Sequence, residues 1–220
     1  MASLPMNRES WVRLFGHRSH FLGMKVAPAD RQSGSRIGGR PPQACLPLDR
    51  CPRCGGPLSY YLTLDLADPF GSGKQISIFL CRDFACLLSS SASTLIPEKS
   101  SLRIVVHPPS PRAGLPTEAD SHLEPRGLQL MEEASEPSAP AWPHDGSKVG
   151  GRPSLLQKEG IDLELEKTGL QFIAQWNELD FPRGMRIGTY PLAGGTLYLF
   201  GRLADASLDT THLFGFWQRT

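Results

Sequence analysis

A chain of 220 residues with 40% hydrophobic content is long enough to bury a sizeable core. Lysine and arginine number 23 against 22 acidic residues, and this near balance excludes a dedicated nucleic-acid binder, which carries a basic excess. Five cysteines, four of them in two close pairs, argue against an extracellular disulfide framework and for reduced thiols holding a metal in the cytoplasm.

The charge is uneven. Residues 1–54 hold nine Arg/Lys and three Asp/Glu, a balance of +6. Within "RESWVRLFGHRSHFLG", Trp11, Leu14 and Phe15 fall at helical spacing while charges break every apolar run, so neither a signal-peptide core nor a membrane span fits. Residues 1–34 therefore read as a solvated basic N-terminal arm with a short helix, and a soluble cytoplasmic protein is expected. His17 and His20 have metal-capable spacing, but without a nearby thiol or carboxylate they read as solvated side chains.

The next segment, "SRIGGRPPQ", has a near copy in "SKVGGRPSL", so that Gly38-Gly39-Arg40-Pro41 matches Gly150-Gly151-Arg152-Pro153 at an offset of 112 residues. The same offset lays "LSYYLTL" (58–64) on "LQFIAQW" (170–176). Further on, "QISIFLC" (75–81) resembles "GTLYLFG" (195–201) after extra loop residues, and each copy ends in one more apolar segment, "LRIVVH" and "HLFGFWQ". The expected fold is mostly β (α+β). It is a tandem duplicated β-unit with pseudo-twofold symmetry, with a first repeat at 35–107, a proline-rich acidic connector at 108–146 and a second repeat at 147–220.

Alternation supports the strands. Leu58, Tyr60, Leu62, Leu64 and Leu66 are expected on one face of the first, and Leu170, Phe172, Ala174 and Trp176 on one face of its counterpart. The following runs, nearly all apolar, read as central strands buried on both faces. Eight prolines in 107–146 argue against a long regular element there; "GLQLMEE" (127–133) is its one ordered candidate, with Ala141-Trp142 anchoring its end.

Cys51-Pro-Arg-Cys54-Gly-Gly is a knuckle in which two thiolates can chelate one ion, and Cys81 and Cys86 supply a second pair after the "ISIFL" strand. Four sulfurs suit a tetrahedral structural zinc that staples the first half. Cys45 is a substitute ligand, and the alternatives are unconnected buried thiols or a redox pair. At the repeat offset Cys51 and Cys54 fall on Leu163 and Glu166 in "GIDLELEKTG", so the second half fills the equivalent space with an apolar and acidic strand or turn.

The diglycine bends permit positive φ, and the proline after each arginine enforces an extended exit. They read first as bends that launch each repeat. In a second reading Gly38, Gly39, Arg40, Gly150, Gly151 and Arg152 form a ligand niche, with backbone approach from the glycines and charge from the arginines. No serine lies in a nucleophile-elbow context and no carboxylate pair is spaced for acid/base work, so no catalytic residue is expected.

Taken together, "S-[KR]-[IV]-G-G-R-P", "CPRCGGPLSYYL" and "ISIFLCRDFAC" resemble the N-terminal zinc-linked domain of the programmed cell death protein 2 family. The second half, "KVGGRP", "LQFIAQWNEL" and "GGTLYLFG", is similar to the YwqG-like family (domain of unknown function 1963). The resemblance covers roughly residues 35–90 and 147–201. It implies a non-enzymatic, chaperone-like protein-binding role with a basic, ribosomal-type client. The alternatives are an immunity or toxin-neutralising protein, or a small-ligand binder or enzyme built on the paired bends. The chain departs from the family in the spacing of Cys81 and Cys86 and in its proline-rich connector.

Overall fold

Runs rich in leucine, valine, isoleucine and aromatic residues form ten strands, β1 (His20–Val26), β2 (Arg36–Ile37), β3 (Leu58–Asp65), β4 (Gln75–Cys81), β5 (Leu102–His107), β6 (Arg126–Ser135), β7 (Lys148–Val149), β8 (Gln171–Asn177), β9 (Thr196–Ala204) and β10 (Ser207–Gln218). This is a computed structural model, which describes residues 7–27, 34–67, 70, 72–88, 100–137, 146–157, 160–185, 190–204 and 207–219. Ala141 and Trp142 lie outside the described residues. The strands make one antiparallel, nearly closed sheet in the order β10-β9-β8-β7-β1-β6-β2-β3-β4-β5. Short helices α1 (Arg8–Trp11), α2 (Phe84–Leu88) and α3 (Ile161–Lys167) decorate it, with α1 running on into a wider turn at Val12–Gly16.

The order reads alike from both ends. β2 to β5 flank one side of the central β1–β6 pair, and β7 to β10 flank the other. Arg36 and Ile37 pair with Thr63 and Leu62, and Lys148 and Val149 pair with Gln175 and Ala174, so each match again differs by 112 in number. β3 carries a bulge between Tyr60 and Leu62, and β8 carries one between Phe172 and Ala174.

Those bulges correct the expected alternation. An inserted residue flips the faces beyond it. Leu58 and Tyr60 therefore face an outer cluster with Phe79, whereas Tyr61, Leu62 and Leu64 join the inner core. In β8, Phe172 faces outward with Tyr198 and Phe200, while Ile173, Ala174 and Trp176 face inward. The inner core is continuous across both halves and takes in Leu14 and Phe15 from the turn after α1. Each buried Leu or Phe there contributes about 1.5–3 kcal/mol.

One element was missed, and another, whose ordered candidate 127–133 lies within a strand, exceeds what the sequence suggested. β1 lies within the segment read as an arm, yet it sits between β6 and β7 at the middle of the sheet. β6, ten residues long, crosses the connector. Prolines bracket β6 at Pro125 and Pro137 without entering it, so the regular element survives in a proline-rich stretch. Beyond Leu130 it runs into Met131, Glu132 and Glu133, exposed or charged residues of which Glu133 is ion-paired to Arg13, and these dilute the hydrophobic signal.

At the open ends of the sheet, β5 and β10 approach side by side. A methyl group on Gly215 would lie 3.3 Å from Ile104 and 3.4 Å from Leu102, and among the described residues no ladder joins the two strands. No described helix is long and apolar enough to cross a membrane.

Candidate metal centre

Cys51 and Cys54 lie in the loop before β3, Cys81 ends β4, and Cys86 lies on α2. The knuckle is closed by hydrogen bonds from the Gly55 amide to the Cys51 carbonyl (2.9 Å) and from the Cys51 amide to the Gly56 carbonyl (2.8 Å). Gly55, at φ 71°, makes this reversal without strain. The wide spacing of the second pair is spanned by α2, whose first turn is capped by Asp83: its carboxylate accepts from the amides of Ala85 (2.9 Å) and Cys86 (3.3 Å). The cap turns Cys86 back toward Cys81, which the sequence spacing alone did not disclose.

The four sulfurs all lie within 4.8 Å of one another. Cys54 and Cys81 are 3.5 Å apart, and Cys51 and Cys86 are 3.9 Å apart. Four thiolates around one ion at a metal–sulfur distance of about 2.3 Å stand about 3.8 Å from each other, so the spacing fits a tetrahedral site with no open position. The Gly56 amide donates to Cys54 Sγ (3.4 Å), and this bond lowers the pKa of that exposed thiol. Burial instead raises Cys81, and it pushes Cys86 up to about 12. The buried pair therefore favours neutral thiols until a cation compensates the loss of hydration. Cys45, the substitute ligand, is buried beside Ser77 in the same apolar cluster but is not among the four mutually close sulfurs.

Elsewhere, the second half covers the corresponding outer face with α3, whose Ile161 and Leu165 pack on Phe172, Tyr198 and Phe200. This corrects the expected strand or turn: Asp162 and Glu164 in the first turn favour helix at that end.

The diglycine bends are tied to the bulges. The Gly38 amide donates to the Tyr61 carbonyl and the Gly150 amide to the Ile173 carbonyl, each at 2.9 Å, and the second glycines donate to Leu123 and Leu14 at 2.8 Å. Residues Gly38, Gly39, Gly150 and Gly151 all have φ between 70° and 74°. The space at each bend is taken by the chain itself. Arg112 donates to the Gly38 carbonyl and stands against Gly39, whereas Glu136 accepts from the Arg152 amide (2.9 Å) and from the buried Lys148 (2.8 Å). The Arg40 side chain turns to the Gly114 carbonyl and Asp120.

A buried polar chain that the sequence did not reveal runs from Tyr60 through Thr63 and Ser77 to His107, with successive contacts of 2.8, 2.7 and 2.8 Å. His107 Nδ1 faces the Pro108 carbonyl at 2.7 Å. Ser77 and His107 resemble a nucleophile and its base. Ser77 has no exposed surface, however, and its hydroxyl is engaged on both sides, so the chain serves the fold.

Comparison with protein-family models, with curated proteins and with solved structures found no match for this chain.

Proposed function

We propose that the protein is a non-catalytic protein-binding module with one structural zinc ion held by Cys51, Cys54, Cys81 and Cys86. We infer also that residues 35–107 and 147–220 are two copies of one β-unit. The carrying observation is the closed set of four sulfurs, which leaves no coordination position for a substrate. The duplication is supported by the matched bends, bulges and strand pairings at the common offset of 112.

Binding of a protein client is supported by the two strand edges β5 and β10, which no ladder joins among the described residues. The resemblance implies a basic, ribosomal-type client. The connector's acidic residues contribute less to that attraction than composition suggests. Among its described residues, Asp120, Glu124, Glu133 and Glu136 are already paired within the chain, leaving Glu118 and Glu132 exposed.

The test is affinity purification of the full chain with metal analysis by mass spectrometry under native conditions. The expected result is one zinc per chain and one stoichiometric basic partner that survives about 0.3 M salt, where the Debye length is well under 10 Å. A metal-free folded chain would overturn the zinc, and exclusively salt-labile, non-stoichiometric proteins would overturn the client.

A further inference from the structure

Beside the metal centre lies a cavity of about 600 Å³, walled by β4, α2 and the segment Tyr190–Ala193. Its size falls within the range of small-ligand sites, about 300–1,000 Å³. Leu80, Leu87 and Pro191 supply apolar wall, and the Phe84 ring, 46% exposed, stands there in contact with solvent.

One cation lines this cavity, Arg82, which like its neighbour His122 is exposed. The Arg82 guanidinium donates one N–H to the Glu118 carbonyl (2.9 Å), and a second nitrogen lies 3.4 Å from His122 Nε2. Among the described residues no carboxylate pairs with it. The neighbouring Asp83 carboxylate is turned into the cap of α2, so it does not neutralise Arg82. Arg82 is placed by its own amide, which donates to the Pro57 carbonyl (3.0 Å), and by the adjoining thiol ligand Cys81. A guanidinium has five donors in a fork that matches a carboxylate, and two of its nitrogens are directed at only one carbonyl and one imidazole.

We propose that this cavity binds an apolar chain ending in a carboxylate, with the tail against Leu80, Phe84 and Leu87 and the carboxylate on Arg82 beside His122. A cationic ligand would meet Arg82 unfavourably, and a neutral one would gain only the apolar contact. The proposal needs the fold alone and does not depend on the client reading above.

The experiment is calorimetric titration of the full, metal-loaded chain with octanoate and with octanol. Octanoate is expected to bind at least about tenfold tighter, the margin of one charge-assisted contact. Arg82→Gln keeps a donor for the Glu118 carbonyl and should bring the two probes to equal affinity, whereas Phe84→Ala should weaken both. Circular dichroism would show both variants folded. A peptide ending in Leu-Phe, with a free and with an amidated terminus, separates the two sources of this chemistry: tighter binding of the free form points to a chain terminus, and binding of octanoate alone points to a free acid. Equal affinity for octanoate and octanol, an unchanged preference in Arg82→Gln, or no binding of any probe at about millimolar concentration would overturn the proposal.

Discussion

Gly38 at φ 70° and Gly55 at φ 71° share a left-handed backbone, but an added methyl group meets different surroundings at the two positions. At Gly38 it would lie 2.4 Å from the Glu124 carbonyl oxygen and 2.6 Å from that of Leu123, both backbone atoms held in place. At Gly55 nothing lies within 4 Å. Gly55→Ala should cost only the conformational strain, about 1–2 kcal/mol, whereas Gly38→Ala should cost several times that or prevent folding. Urea unfolding of the two variants checks this, and equal losses would sink the docking account of the bend. Glu178 offers a second residue-scale test. It has no exposed surface, its carboxylate accepts from the amides of Leu192 (3.0 Å) and Gly194 (2.9 Å), and burial raises its pKa to about 7. The folded chain thus holds this proton more tightly than the unfolded one. The contribution is fully present below the ordinary pKa near 4.5 and is lost as pH rises through about 7, amounting to about 3 kcal/mol at most. Glu178→Gln should flatten that slope. It should also be less stable than the parent at pH 5, because the glutamine oxygen can accept from one loop amide while its nitrogen, a donor only, leaves the other without an acceptor. Unfolding midpoints from pH 5 to pH 8 measure both effects.

At the scale of elements, β4 and β9 were legible as nearly continuous apolar runs, and β3 and β8 by an alternating pattern. Their facing was not, since an inserted residue at Tyr61 or Ile173 leaves no mark on composition. The diglycines are its nearest sign: each supplies an amide to a carbonyl displaced from the ladder. The four thiols were legible as a set, but the cap that completes it, Asp83, looked like any charged residue in a loop. The outer faces of the two hairpins are covered by different means, a cysteine knuckle over Tyr60 and Phe79 and a helix over Phe172 and Phe200. Metal removal should therefore act unevenly. Chelation of the loaded protein is expected to raise amide hydrogen exchange at the Leu58 and Cys81 ends of β3 and β4, while β8 and β9 under α3 keep their protection. Uniform loss of protection across both hairpins would count against a locally acting staple.

For the whole molecule, the β1–β6 pair joins the two sides of the sheet, with β1 touching β7 and β6 touching β2. Removing residues 1–26 would take out the middle strand, together with Leu14 and Phe15 from the core. A chain so shortened is expected to be insoluble or unfolded by circular dichroism, where a dispensable arm would leave it intact. The charges and glycines around it hid this role, since His20, Gly23 and Lys25 break the apolar pattern of β1 and most of its residues are only partly buried. The placement also constrains the order of events during synthesis. β1 leaves the ribosome well before its partners at residues 128–135 and 148–149, so the nascent chain carries an unpaired strand through much of translation. The closing contacts of the sheet must wait for the arrival of its later half.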